Sequence, residues 1–321
     1  MLAIVLAALV AFSGSRQKAY RKASGLVFGT SYNITYQSSS DLDSEINAVF
    51  DSINNSLSPF NEASVITAVN NNQPVVLDSM FTEVFRLSKR VYADTQGAFD
   101  ITVAPLVNAW GFGFKNGAMP SEAQIDSLRG IVGFSKMSLA GGKVKKEDPR
   151  MMLDCSAIAK GYAVDRVAQM LLSQGVKNMM VEVGGEIVAR GKNAKGEAWR
   201  IGVTKPTDDT LSTNNELQTI LQLTDIAMAT SGNYRNFYYK DGKKYAHTID
   251  PHTGQPVQHS ILSATVLAPT CAIADAYATS FMVMGLEKAK TLLKRHPEMK
   301  AYLIYTDEKG QYFTWSSPHL Q

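Results

Sequence analysis

Apolar residues recur three and four positions apart along several stretches of the chain, the spacing of an amphipathic helix. Helices are predicted over 41–57, 79–95, 121–128, 158–174, 272–284 and 287–295. Asp78 or Ser79 can cap the start of the second helix, and Gly97 follows its end. The helix over 272–284 is apolar on nearly every side, so we expect it to be buried.

Shorter segments between these helices are rich in β-branched and aromatic residues, which indicates strands. Strands are predicted over 26–36, 151–154, 179–183, 187–190, 199–203, 217–223, 233–239, 262–268, 301–305 and 311–315. The last two flank Lys309-Gly310 and form a predicted hairpin. Because helices and antiparallel-looking strands alternate irregularly, the pattern favours an α+β fold with mixed or antiparallel sheets packed by helices.

The start of the chain has a different pattern. Residues 2–12 form an unbroken apolar run, too short to span a bilayer and typical of the central part of a signal peptide. Small residues follow at 13–15, as at a cleavage site. We expect a signal-like segment over 1–24 and one domain over 25–321, which can divide into two lobes around a polar insertion near 207–216.

Composition narrows the function classes. The chain has 321 residues, of which 45% are hydrophobic and 19% charged, and a net charge of +3. This composition is typical of a globular protein with a sizeable core. The small, scattered positive charge argues against nucleic acid as a partner. Two cysteines, Cys155 and Cys271, are too few for a disulfide scaffold and are expected to be small buried residues.

Asp275 and Thr279 are four residues apart on the predicted helix 272–284, so they lie on one face. Carboxylate and hydroxyl oxygens suit Mg²⁺ rather than zinc, and Mg²⁺ needs few protein ligands when substrate phosphates complete its coordination. Such a pair is more often an ordinary solvated helix face. Here small apolar residues surround it, and a buried carboxylate needs a partner.

A second candidate site lies where a predicted strand ends at Asp154 and a helix begins near Ile158. Free N–H groups and the positive dipole end make such a helix start a natural phosphate site. Lys160 in the first turn opposes the helix dipole, which a nearby anion would explain. The alternative is that Asp154 or Ser156 caps the helix and Lys160 points to solvent.

A third candidate is the tight turn over 247–254, which presents His247 and Asp250. His247 can serve as a general base near neutral pH, although a lone histidine is more often structural. Two weaker signals are the turns over 97–100 and 230–235, whose residues can reach a ligand or be ordinary turn residues.

Taken together, these segments resemble the FAD:protein FMN transferases, the ApbE-type flavin transferases, over essentially the whole chain after residue 24. The matching segments are F-G-T-S-Y (28–32), S-P-F-N-E-A-S (58–64), G-A-F-D (97–100), A-I-A-K-G-Y-A-V-D (157–165), V-G-G-E (183–186), T-S-G-N-Y-R (230–235), H-T-I-D-P-H-T-G (247–254) and A-D-A-Y-A-T (274–279). Each is modest singly, but their common order is a strong signal.

The resemblance implies that FMN passes from FAD to a threonine hydroxyl of an acceptor flavoprotein, with Mg²⁺ bound and AMP released. Such acceptors resemble subunits of membrane redox pumps. The metal ligands implied are Ala157 (through its carbonyl), Asp275 and Thr279. The FAD contacts implied are Phe28, Phe60, Ala98, Phe99, Asp100, Asp154, Lys160, Ser231 and Ile249. His247 is the implied base, and Lys160 and Asp250 complete the catalytic set.

Three positions depart from the pattern of the family. Phe28 stands where many members have methionine, Phe60 where tyrosine is common, and Ala278 where some members have an acidic residue. Two other functions fit the same residues: a Mg²⁺-dependent FAD pyrophosphatase that yields FMN and AMP, and an exported flavin-binding protein without catalysis. A transferase would leave covalent flavin on an acceptor, whereas a pyrophosphatase would not. A flavin-binding protein would release no AMP.

The sequence also indicates where the protein works. Residues 12–15 resemble a bacterial lipoprotein box in which Ser15 replaces the lipidated cysteine. We expect export to the periplasm and association with the inner membrane, by a route other than lipidation of that position.

Overall fold

The computed structural model describes residues 19–113, 119–206, 216–233, 237–240, 243–258, 260–307, 309–318 and 320. In these ranges the helices are α1 (Asp43–Leu57), α2 (Val65–Asn70), α3 (Ser79–Asp94), α4 (Ala104–Ala109), α5 (Glu122–Arg129), α6 (Ala159–Ser173), α7 (Cys271–Met284) and α8 (Leu286–Leu293). The strands are β1 (Ala19–Val27), β2 (Thr30–Ser38), β3 (Met137–Ala140), β4 (Lys143–Lys146), β5 (Met179–Val183), β6 (Glu186–Arg190), β7 (Trp199–Thr204), β8 (Leu217–Leu223), β9 (Ile226–Gly232), β10 (Phe237–Lys240), β11 (Lys243–Ala246), β12 (Ile261–Ala268), β13 (Lys300–Thr306) and β14 (Tyr312–Ser316).

Eight strands form one sheet in the order β1-β2-β5-β6-β9-β12-β13-β14, and neighbouring strands are antiparallel throughout. Three further two-stranded sheets, β3-β4, β7-β8 and β10-β11, lie outside it. Helices packed on an antiparallel sheet confirm the predicted α+β class.

Side-chain alternation decides what covers each face of the large sheet. On β6, Val188 packs in the cluster that includes α6, whereas Ile187 and Ala189 pack with the β7–β8 hairpin. The same alternation continues on β9, where Ala227 faces the helices and Met228 faces the hairpin. The centre of the sheet is therefore buried on both sides, which is why the middle of β6 and the first half of β9 are apolar.

Helices α6 and α7 cross closely on the helical face of the sheet. Gly161 allows this approach, since a Cβ atom there would lie 2.4 Å from the carbonyl oxygen of Cys271. Each helix also caps the other. Asp165 of α6 accepts hydrogen bonds from the backbone N–H groups of Cys271 and Ala272, both at 2.8 Å, and Asp275 of α7 accepts one from Gly161 N at 3.0 Å. These bonds satisfy N–H groups that a helix start leaves unpaired.

Predicted helices agree with the structure to within a few residues, and Asp78 caps α3 as expected. Some predicted strands were wrong. The segment 26–36 is the hairpin β1–β2, whose two-residue turn is Phe28-Gly29, both with positive φ. Such turns usually carry Asn-Gly or Asp-Gly, and the aromatic residue concealed this one. Strand β1 begins at Ala19, so the expected boundary at residue 24 falls inside it.

The segment 151–154 is not a strand, and the backbone of Leu153 within it pairs with a side chain instead of a neighbouring strand. Asn70 donates to the carbonyl of Leu153 at 2.9 Å and accepts from Leu153 N at 2.7 Å, as a neighbouring strand would. The strand predicted over 233–239 is confirmed only over its last part, 237–239. Strand β9 ends at Gly232, β10 begins at Phe237, and 234–236 lie outside the described residues.

Within the ranges given above, no helix is long and apolar enough to cross a membrane. The apolar run over 2–12 and all of the proposed insertion except Glu216 lie outside those ranges.

Candidate functional site

A cavity of about 520 Å³ opens where the starts of α6 and β6, the side of α7 that carries Asp275 and Thr279, and several loops meet. Eleven residues singled out by sequence line it: Ala98, Phe99, Asp100, Asp154, Ala157, Lys160, Ser231, His247, Ile249, Asp275 and Thr279. Segments more than 170 residues apart in sequence thus converge on one cavity. A single ligand can contact the elements that sequence reasoning treated as three separate candidates.

Lys160 lies between two buried carboxylates in the wall of this cavity. Its Nζ is 3.1 Å from Oε1 of Glu186 and 3.9 Å from Oδ2 of Asp275. Glu186 and Asp275 are each 3% exposed. The alternative that Lys160 simply points to solvent therefore does not hold.

The cluster holds two buried carboxylates and only one ammonium, so burial has a large effect on the pKa values of all three groups. Burial raises the pKa of Glu186 to about 8 against the opposing effect of Lys160, and it raises the pKa of Asp275 in the same way. Burial alone would lower the pKa of Lys160, but Asp275 and Glu186 hold it above its ordinary value. The excess negative charge favours a cation or a proton beside these carboxylates.

The donor atoms on α7 suit a hard cation. Thr279 Oγ1 shares a hydrogen bond of 2.9 Å with Ser231 Oγ, and Asp275 lies one turn before Thr279. Ala157 completes the set from the loop before α6. Among the described residues no three His, Cys, Asp or Glu side chains come together as a metal site. A magnesium ion held by these oxygens would therefore depend on further ligands from phosphate and water, as is usual for Mg²⁺.

The start of α6 faces the same cavity. Its first flanking residue, Ile158, makes no side-chain cap, and Asp154 instead accepts hydrogen bonds from the backbone and hydroxyl of Ser156. Neither Asp154 nor Ser156 caps the helix, which was the alternative to a phosphate site. The helix start and the Lys160 ammonium together offset part of the negative charge of Glu186 and Asp275 at this wall.

Another part of the lining is apolar, with one buried carboxyl. Phe99, Val103 and Phe112 line it, and Asp100 lies among them at 6% exposure. The Asp100 carboxylate accepts bonds from Thr102 N and Oγ1 and from Phe134 N. Burial nevertheless raises its pKa to about 6. Its hydrogen bonds hold the loop 98–103 in shape, and the apolar surface suits a planar ring system.

His247 reaches the cavity from the loop that follows β11, and Ile249 and Pro251 lie beside it. Asp250 does not line the cavity. Its carboxylate accepts a hydrogen bond from His252 N at 2.9 Å and lies 3.1 Å from His252 Nδ1. His252 Nε2 in turn lies 2.9 Å from the carbonyl of Gln96. Asp250 and His252 therefore tie the turn over 247–254 to the loop that carries Ala98.

Two further predicted FAD contacts lie outside the cavity lining. Phe28 occupies the β1–β2 turn and packs edge-on against Phe50 with ring centroids 5.8 Å apart. Phe60 follows α1 and is 72% exposed. The structure thus brings most of the predicted set together, and contact of these two with FAD stays a prediction.

Sequence reasoning missed Glu186 and the bridging role of His252. Glu186 begins a strand whose next three residues are apolar, which indicates a strand buried on both faces, and a buried carboxylate needs a partner. That signal was available in the pattern. The contact between His252 and Gln96 spans 156 positions and leaves no local signal.

Comparisons with known proteins agree with this geometry. The sequence profile of the ApbE family matches residues 28–303. An FAD:protein FMN transferase from Vibrio cholerae is 36% identical over 98% of this chain and 96% of its own length. One from Escherichia coli K12 is 36% identical over 88% of this chain and 82% of its own length.

Solved structures agree as well. The flavin transferase ApbE from Vibrio cholerae superposes with a TM-score of 0.85 at 34% identity, covering 94% of this chain and 98% of that one. The apo form of the Pseudomonas stutzeri flavinyl transferase ApbE gives 0.83 at 32% identity, covering 94% and 96%. The chain therefore belongs to the ApbE family of flavin transferases.

Proposed function

We propose that this protein transfers FMN from FAD to the hydroxyl of a threonine in an acceptor flavoprotein, with Mg²⁺ as cofactor and AMP as the second product. One observation carries the proposal: the oxygen donors Asp275 and Thr279, the Lys160 ammonium and the start of α6 all face one cavity. A diphosphate needs such a combination of cation and N–H groups. Relatives named FAD:protein FMN transferases, at 36% identity, support it.

The proposed metal has a specific place and purpose. Asp275, Thr279 and the carbonyl of Ala157 would hold Mg²⁺, which supplies neutralisation of the charge that develops on the pyrophosphate during transfer. The buried, uncompensated negative charge around Asp275 supports this assignment, because a cation there offsets the cost of burying the carboxylates.

The residues of the chain supply the rest. Lys160 and the positive dipole end of α6 stabilise the phosphates, and the apolar wall around Phe99 excludes water from them. His247 accepts the proton of the acceptor threonine as its oxygen bonds to the FMN phosphorus. The bond from that phosphorus to the bridging oxygen breaks, and AMP leaves with that oxygen. Phosphoryl transfer relies mainly on such positioning and charge neutralisation.

The decisive assay is incubation of the protein with FAD, Mg²⁺ and a candidate acceptor, followed by mass analysis of the acceptor and quantification of AMP. We expect equal amounts of AMP and covalent FMN. Free FMN with AMP and no labelled acceptor would establish a pyrophosphatase instead, and absence of AMP would leave only flavin binding.

Asp275→Asn tests the metal site in the same assay. Asparagine retains an oxygen that can accept from Gly161 N but loses the charge, so the fold should persist while turnover falls. We expect a loss of several kcal/mol of transition-state stabilisation, on the order of a thousandfold in rate. Near-wild-type turnover in this variant would contradict the assignment.

We also propose that the protein is exported to the periplasm and works at the inner membrane. The apolar run over 2–12 and the small residues after it support export. Cell fractionation and N-terminal sequencing of the mature protein would check this.

A further inference from the structure

Glu186 contacts the cluster through only one of its two carboxylate oxygens. Oε1 lies 3.1 Å from Lys160 Nζ. Oε2 is buried and accepts no hydrogen bond from any other described residue. The side chain is fixed at the first residue of β6, directly after the Gly184-Gly185 turn, and it lines the cavity.

Lys160 lies closer to Glu186 than to Asp275. Lys160 Nζ is at ion-pair distance from Glu186 but 3.9 Å from Asp275 Oδ2, too far for a hydrogen bond. Asp275 Oδ2 accepts its hydrogen bond from Gly161 N instead, at 3.0 Å. An ammonium in direct contact with Asp275 would compete with any cation for the same carboxylate.

We propose that Glu186 is a positioning residue, which holds Lys160 away from Asp275 and so leaves the Asp275 carboxylate available to a divalent cation. This rests on the proposed function, since it concerns the same metal site. Without Glu186, a shift of about 1 Å brings Lys160 into direct contact with Asp275. At an effective dielectric constant of about 20, that approach strengthens the pair enough to weaken cation binding roughly tenfold.

The test is a double-mutant cycle read by cation affinity, not by turnover. Mn²⁺ replaces Mg²⁺ because free Mn²⁺ can be quantified by electron paramagnetic resonance. The apparent dissociation constant is measured for wild type, Glu186→Gln, Lys160→Met and the double variant, each without FAD but with saturating AMP, whose phosphate supplies the further ligand that the proposed metal site needs. We expect Glu186→Gln to raise it about tenfold when Lys160 is present, and about twofold or less in the Lys160→Met background.

Other outcomes overturn the proposal. If Glu186→Gln costs as much or more in the Lys160→Met background, Glu186 acts on the cation directly and not through Lys160. If it costs nothing in either background, Glu186 has no part in cation binding while the proposed function stands. If wild type binds no Mn²⁺, the metal site itself fails, and this inference with it.

Two further variants make the test robust. Glu182→Gln is the matched control, since Glu182 is on the same β5–β6 hairpin but does not itself line the cavity. Its carboxylate accepts hydrogen bonds from Gly185 N and from the side chain of Asn33. It removes one carboxylate charge and should leave Mn²⁺ affinity within about twofold. If Glu186→Gln does not fold, Glu186→Asp takes its place, because aspartate keeps the charge but is one methylene too short to hold Lys160.

Discussion

Whether Gly161→Ala stabilises or destabilises the protein depends directly on how closely α6 and α7 cross. In an unconstrained helix, alanine in place of glycine stabilises by up to about 1 kcal/mol. Here the added Cβ would lie 2.4 Å from the Cys271 carbonyl oxygen and 2.8 Å from the Asp275 Cβ. Both atoms belong to the backbone or are bonded directly to it, so rotation of a side chain cannot relieve the contact.

The magnitude follows from what must move. Relief to ordinary contact requires the helices to separate by about 1 Å, and overpacking of this kind costs about 1–3 kcal/mol. The separation also strains the hydrogen bond from Gly161 N to Asp275, which is 3.0 Å long and involves a charged acceptor, a class worth about 1.5–3 kcal/mol. After the helix-propensity gain, we expect a net loss of about 2–4 kcal/mol and a fall in Tm of several degrees.

Thermal unfolding followed by circular dichroism measures the stability, and the FMN transfer assay measures the consequence for the site. Because Asp275 moves with α7, turnover should fall together with Tm. Gln169→Ala is the control, since Gln169 is on the exposed side of α6 and its replacement should change stability by about 0.5 kcal/mol or less. A Gly161→Ala protein with an equal or higher Tm and full turnover would refute the close crossing.

Two further predictions concern single groups. His247→Ala should slow FMN transfer by about 10²–10⁴-fold while FAD affinity, measured by fluorescence titration, changes little; equal losses of both would indicate a binding role. Burial raises the pKa of Asp165 from 3.8 to about 6, against the backbone N–H groups of Ala272 and Cys271, which lower it. The stability that Asp165 contributes is thus fully present below about pH 4 and is lost as pH rises through 6. In urea unfolding, the free energy by which wild type exceeds Asp165→Asn should therefore shrink by about 1–3 kcal/mol between pH 4 and 7. A constant or growing difference would contradict this.

The helices could be predicted because their burial is one-sided or complete over many residues. In α1 and α3 the buried positions repeat at helical spacing, and Asp78 caps α3 from the position just before it. The strands were harder where partners are distant or unusual. Strand β9 was missed because its Ile226–Gly232 sequence is short, small and partly polar, and only its pairing with β6 and β12 makes it a strand.

The site shows the same division. Asp275 and Thr279 could be paired because four residues of helix place them on one face, and the structure puts both in the cavity. The Lys160–Glu186 contact could not be predicted, since it joins a helix start to a strand start. The sequence therefore identified eleven of the residues that line the cavity, but not how their charges are shared.

The two helices that build the site also stabilise each other at that point, and this ties stability to function. Asp165 satisfies the start of α7, and Asp275 satisfies the start of α6. If Asp275 also binds the cation, the same carboxylate accepts the hydrogen bond that caps α6 and supplies negative charge to the metal. Removal of the side chain would then disturb the crossing as well as the metal. This is why asparagine, which keeps the accepting oxygen, separates the two effects where alanine would merge them.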